Sequence, residues 1–185
     1  TTDHPNAGPF TRYPRVIKWL MSKKARDDLL HSFKWSEKVI AATQLESMDR
    51  ELSLYEIAQM TRAGPAKCMG ISNMYGSLKE GTNANIAIYN INPEKMPKDP
   101  ELIEKAFSET AYTFKDGVMV VENGVVIATT PKYTVWTDVK VKENAIVERD
   151  IHEKFAKYYS VGLENYKVFD EHMHNPRAIE VDATN

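Results

Sequence analysis

Few side chains in this sequence could do chemistry. Asp3 and His4 stand before a loop rich in Pro, Gly and Asn, Pro5-Asn6-Ala7-Gly8-Pro9, an arrangement that looks like a strand end running into an active-site loop. Taken alone, the pair reads equally as ordinary turn or capping residues, since Asp is a common turn former and Pro5 ends any strand. If both lie on a strand they face opposite ways, so one of the two at most looks into such a site. His172-Met173-His174 spaces its imidazoles by one residue, which on a strand puts both on one side, as a metal pair requires. That pair sits in a polar tail before Asn175-Pro176 without a carboxylate and histidine set nearby, so it is expected to be a solvated loop that could pick up adventitious zinc or nickel. Cys68 is the single cysteine. One thiol excludes an internal disulfide and a Cys-rich metal or iron–sulfur cradle, and its place between Lys67 and Met69 predicts packing more than reactivity.

The elements that must position these residues are marked by strong local signals. Ser53 with Glu56 three residues on is a capping-box signature, and Leu52 can staple to Ile57, so a helix starts here and Gly64-Pro65 is expected to stop it. Gly76 and Gly81 bracket a polar turn feeding a strand in which Ile86 and Ile88 share a face. Upstream, Tyr13 to Phe33 carries Val16, Ile17, Leu20, Met21, Leu29 and Leu30 among charges, the pattern of an amphipathic helix or a pair of them. Ser36 to Met48 continues it before the Asp49-Arg50 break. Downstream, Asp99-Pro100 is an N-cap and first-turn pair for a helix through Phe107. Three β-runs follow, Thr110 to Lys115, Val118 to Glu122 and Val125 to Thr130, divided by Asp116-Gly117 and Asn123-Gly124, which suit two-residue hairpin turns. With a fourth run, Tyr133 to Val141, they predict an antiparallel meander whose core includes Val118, Val120 and Val126. Asp150 and Glu153 are expected to cap a helix bearing Ile151, Phe155, Tyr158 and Tyr159 on one side, and residues 166 to 181 to be extended and docked.

Charge and hydropathy narrow the partners. The chain has 185 residues and a formal charge of −2 with both signs interspersed, which gives no basic footprint for nucleic acid. No run approaches the ~18 apolar residues of a membrane span, so no membrane role and a soluble, cytoplasmic setting are expected. The sequence begins abruptly, without an initiator methionine, as a piece of something larger would.

The helix, turn and strand from Leu52 to Asn92, with its Gly-Ser-Leu-Lys-Glu-Gly-Thr-Asn-Ala-Asn-Ile stretch, resembles the end of the barrel in the metal-dependent amidohydrolase superfamily. The residues around Asp3 and the terminal Ile179-Glu180-Val181-Asp182-Ala183-Thr184 sharpen this to the A subunits of formylmethanofuran dehydrogenases. The resemblance implies an α+β chain: the last strand end and outer helices of a TIM barrel over residues 1–75, then a β-rich part of the β-sandwich domain over 76–149, and a C-terminal helix with extended tail over 150–185. A whole barrel of this kind needs about 250 residues, so the chain is expected to be a C-terminal fragment, inactive by itself.

The same resemblance implies the chemistry. Asp3 matches the aspartate that ends the last barrel strand, a metal ligand and proton shuttle at a binuclear divalent centre, with zinc the expected metal. Its other ligands would lie upstream, so this chain alone should bind no stoichiometric metal. The implied reaction joins formate to the amine of methanofuran, or reverses that, in the first step of methanogenesis from carbon dioxide. Pterin–metal and iron–sulfur subunits would be the partners in this oxidoreductase complex. A hydantoinase- or dihydroorotase-like enzyme, or a non-catalytic module carrying subunit interfaces, are the alternatives.

Overall fold

The computed structural model describes residues 4–95 and 98–183. It divides into two compact units, the first comprising residues 1–66 and 73–130 and the second 67–72 and 131–185.

In the first unit the amphipathic stretch becomes two helices, α1 (Tyr13–Met21) and α2 (Lys23–Ser32). Ser22 separates them: its backbone is extended and its hydroxyl accepts the Ala25 N–H at 3.2 Å. The apolar residues of α1 recur at helical spacing, and Ile17 and Met21 are buried with Ile57 and Ile103 in the unit's core, against which Leu20, Leu52, Leu54 and Phe107 pack. The continuous pattern expected from Ser36 to Met48 shortens to α3 (Glu37–Ala42), capped by Ser36. It ends at Thr43, whose backbone turns extended and whose hydroxyl accepts the Leu45 N–H at 3.3 Å. Beyond it the buried Arg26 guanidinium of α2 donates to the carbonyls of Trp19 (2.5 Å), Met48 (2.9 Å) and Arg50 (2.9 Å), which ties the chain after α3 back to the first two helices.

The helix opening at Ser53 has both halves of its capping box, as its sequence signature requires, and starts as α4 (Leu54–Ala58). It does not stop at Gly64-Pro65. A π-helical turn, Gln59–Ala63, widens it and α5 (Gly64–Cys68) carries it on. The Gly64 N–H reaches back to the Gln59 carbonyl, and Pro65 falls in the first turn of the new segment, where its missing donor costs nothing. Gly76, at φ 83°, then brings the following loop against this helix so closely that an added Cβ would lie 2.6 Å from the Ala66 Cβ.

Strands β1 (Ile86–Ile88), β2 (Tyr112–Lys115), β3 (Val118–Glu122) and β4 (Val125–Val126) form an antiparallel sheet in that order. Both expected hairpin turns are present, with positive φ at Asp116 (51°), Gly117 (82°), Asn123 (49°) and Gly124 (76°). Two expectations fail here. The fourth strand of the sheet is β1, not the run at Tyr133, and the meander holds no core: Val118 and Val126 are 48% and 69% exposed and Val120 is half-buried. A sheet this small encloses nothing between its own strands, and the buried cluster of the unit is helical. Helix α6 (Pro100–Ser108), capped by the Asp99 carboxylate, supplies Ile103 to that cluster, and its Phe107 ring meets Tyr89, just after β1, at 5.4 Å.

In the second unit the run after Pro131 becomes β5 (Val135–Lys140), which pairs in parallel with β6 (Arg177–Asp182). Local hairpin signals could not foretell this, because the partner lies about forty residues away and joins through a crossover. Between them α7 (Ala145–Tyr158) starts at Asn144, whose side chain accepts the N–H groups of Ile146 and Val147, so Asp150 and Glu153 are interior residues and not caps. The tail expected to be extended from 166 holds 3-10 turns up to Tyr166 and at Asp170–His172 before β6.

Candidate functional site

Asp3, the one residue assigned by sequence to catalysis and metal binding, lies outside the described residues. The loop after it is described. His4 Nδ1 accepts the Phe10 N–H at 3.3 Å, and the two rings meet edge to face at 4.9 Å, which folds residues 4–10 into a closed turn leading into α1. His4 is therefore used as a local acceptor here.

This turn forms one wall of an open cleft of about 630 Å³, whose other walls are α1 and the α4 helix with its π-turn. Gly8, Pro9, Arg12, Arg15, Trp19 and Met60 are among its lining residues, and none of the described residues that line it is acidic. The Arg15 guanidinium sits 5.1 Å above the Trp19 ring. Chemically the described part of this surface offers cationic donors and apolar contact. Arg12 and Arg15 did not stand out in the sequence, although their spacing to each other and to Trp19 puts all three on one helical face.

On the opposite side of the widened helix lies a second cleft of about 490 Å³, between Tyr55, Gln59 and Arg62 and the loop residues Tyr75, Ser77 and Asn85. Gln59 Nε2 donates to the Tyr55 hydroxyl at 3.3 Å and Arg62 Nη1 to the Thr61 carbonyl at 3.0 Å. The Ser77 hydroxyl is buried with no hydrogen-bond partner among the described residues. Glu56 turns away into the capping box: the Ser53 N–H (2.8 Å) and hydroxyl (3.0 Å), aided by Arg50, hold its carboxyl below the ordinary carboxylate range.

Among the described residues no three His, Cys, Asp or Glu side chains gather as a metal-holding group. His172 lies exposed with Nε2 3.8 Å from the Glu171 carboxylate, and the His174 N–H donates to the Thr134 hydroxyl at 3.1 Å, at the entry to β6. Cys68, expected to pack, is exposed at the end of α5. No helix of the described residues is long and apolar enough to cross a membrane.

A model described as the amidohydrolase family matches residues 1–121, well over half of the chain. The chain belongs to the amidohydrolase family. Protein FwdA of Methanocaldococcus jannaschii is 50% identical over 188 residues, covering 100% of this chain and 32% of that protein. The A-type subunit of the formyltransferase/hydrolase complex Fhc of Methylorubrum extorquens is 35% identical over 170 residues, 92% of this chain and 29% of that protein. A crystal structure of the formyltransferase/hydrolase complex (FhcABCD) from Methylorubrum extorquens with methylofuran matches with a TM-score of 0.69 and 32% identity, over 99% of this chain and 32% of that chain. The chain thus spans about a third of the length of these amidohydrolase-family relatives. They bear out the resemblance to the A subunits of formylmethanofuran dehydrogenases and related complexes, and the mixed helix-and-sheet class.

Proposed function

We propose that this chain is the part of an amidohydrolase-type subunit running from the last barrel strand end, through outer barrel helices, into the β-rich and C-terminal regions. The whole subunit would form and hydrolyse the formyl carbon–nitrogen bond of a methanofuran-type amine. The observation that carries this reading is the 50% identity to FwdA along the entire chain, joined to an amidohydrolase match that includes Asp3. The apolar lining of the first cleft supports the barrel part, since Val16, Leu20 and Met60 present apolar surface of the kind outer helices lay on barrel strands.

Two divalent ions, zinc by the family resemblance, would supply Lewis-acid chemistry in the whole subunit. The described residues of this chain do not make up a ligand set for them, so most ligands would come from elsewhere in the full-length protein. Asp3 would act as the proton carrier. In hydrolysis its carboxylate takes a proton from the attacking water and returns it to the leaving amine nitrogen, giving formate and the free amine; condensation runs the same transfers backward. The subunit would work inside a larger oxidoreductase, with pterin–metal and iron–sulfur partners handling electrons and formate reaching it from them.

The test is Asp3→Asn in the full-length protein, with hydrolysis of an N-formyl furfurylamine as the assay. The variant should fold as the parent does and lose roughly two to four powers of ten in turnover, the scale of losing a general base. Near-normal turnover would remove Asp3 from the mechanism, and a full-length parent without amide hydrolysis would remove the proposed reaction.

A further inference from the structure

The reaction proposed above makes a demand on the neighbourhood of Asp3. In a furfurylamine-type amide a single methylene separates the reacting nitrogen from the furan ring, so the group that holds the ring must stand beside the residue that serves the nitrogen. An aromatic side chain suits this task, because ring pairs in edge-to-face or offset contact gain energy beyond the area they cover.

The fold returns such a ring to this place. Residue 4 opens a turn and not a strand, so the alternation that sets strand neighbours on opposite faces does not apply to it. The Phe10 N–H donates to His4 Nδ1 at 3.3 Å, and the two rings meet edge to face, 4.9 Å apart with 63° between their planes. His4 follows Asp3 directly, and neighbouring Cα atoms are about 3.8 Å apart, so the Phe10 ring stands on the order of 10 Å from the Asp3 backbone.

Phe10 is also held on ordered backbone. It opens a 3-10 turn, Phe10–Arg12, closed by the Arg12 N–H on the Pro9 carbonyl at 2.9 Å, and α1 follows without a break. Ile17 and Met21 fix α1 in the core of the unit. The Phe10 residue is nevertheless 59% exposed, and it belongs neither to the buried cluster nor to the lining of either cleft. The apolar surface assigned above to barrel strands is made without it. A large ring on rigid backbone, clasped at one side by an imidazole and open elsewhere, is prepared to receive a second flat ring.

We infer that Phe10 is the specificity residue that binds the furan ring of the substrate while Asp3 serves its nitrogen. This deepens the formyl-amide reading above and rests on it. The ring contact is made alike before and during the chemistry, so it acts on KM more than on kcat.

The experiment uses the full-length protein and compares hydrolysis of N-formyl furfurylamine with that of N-formyl isobutylamine, which keeps the formamide and lacks the ring. The parent should favour the furan amide in kcat/KM. Phe10→Leu should shrink that preference about three- to tenfold through the KM of the furan amide, the scale of one aromatic pair. Phe10→Tyr should keep it. Phe33→Leu, which removes a ring 58% exposed just after α2, should leave it as in the parent. An unchanged preference in Phe10→Leu overturns the assignment, whether turnover of the two amides holds or falls together. So does a Phe10→Leu protein that melts early, which would place the ring against its own subunit, and so does a parent that treats the two amides alike. A parent that hydrolyses neither amide would instead overturn the formyl-amide reading itself.

Discussion

Stripping Lys18 of its two carboxylates should destabilise the first unit more than removing Lys18 itself. The Lys18 side chain is only 11% exposed, and its ammonium bridges from α1 to α6, 3.0 Å from Glu101 and in direct contact with Glu104. The two acids are far wetter, at 81% and 30% exposure. In Glu101→Ala/Glu104→Ala the cation stays in its crevice without partners, a loss of about 1–3 kcal/mol for a buried donor left unpaired. In Lys18→Met the aliphatic stem is retained and both carboxylates remain open to water, so the loss should be below about 1 kcal/mol, as for a largely solvated pair. Urea titration of the 185-residue chain followed by tryptophan fluorescence would resolve the two, since with a slope of about 1–3 kcal/mol/M the acid-deleted variant should unfold up to ~1 M earlier. Burial lowers the Lys18 pKa, but hydrogen bonds and Coulomb attraction from Glu104 and Glu101 outweigh it, so the net shift is upward from 10.5. A lysine raised in the folded state contributes stability that is whole below about 10.5 and lost as pH rises beyond it. Parent stability should therefore fall in that alkaline window by an amount absent from Lys18→Met. Equal losses in the two variants, or an alkaline decline that persists in Lys18→Met, would refute the bridge.

Gly76→Ala should cost about 2–5 kcal/mol, the left-handed backbone penalty plus overpacking against Ala66, whereas Gly81→Ala, at φ 86° with nothing within 4 Å of its added Cβ, should cost only about 1–2 kcal/mol; matching urea midpoints would mean that the loop does not press on the helix. The Glu56 carboxyl is held below 4.5 by the Ser53 N–H and hydroxyl, so the capping box contributes above that pH and is lost as pH falls beneath it. Amide exchange across residues 54–58 should accelerate in that acid window in the parent and be pH-insensitive in Glu56→Gln, when corrected for intrinsic rates. In the first unit the slowest amides should lie in α1 and α6, which bury Ile17, Met21 and Ile103, and not in the meander whose valines sequence patterning marked as core. Slower exchange in Val118–Glu122 than in α1 would return the core to the sheet.

Some of this molecule could be read without coordinates because the cause and the effect lie within a few residues of each other. Ser53 and Glu56, Asp99 and Pro100, Asp116-Gly117 and Asn123-Gly124 each complete a cap or turn from their own side chains and backbone, and all stand where their types require. The family was legible for a similar reason, since an ordered string such as Leu52 to Asn92 can be compared whatever it packs against, and the amidohydrolase match over residues 1–121 includes it. What distant partners decide was not legible. Arg26 takes up the carbonyls of Met48 and Arg50 from far along the chain, β5 leaves the hairpin series for a strand at residues 177–182, and a π-turn carries a helix through Gly64-Pro65. Val118 and Val126 alternate as core residues should, yet alternation reports only that a face is apolar. Whether that face is buried depends on what the rest of the chain brings to it, and here the chain brings its helices together around Ile17, Met21, Ile57 and Ile103 instead.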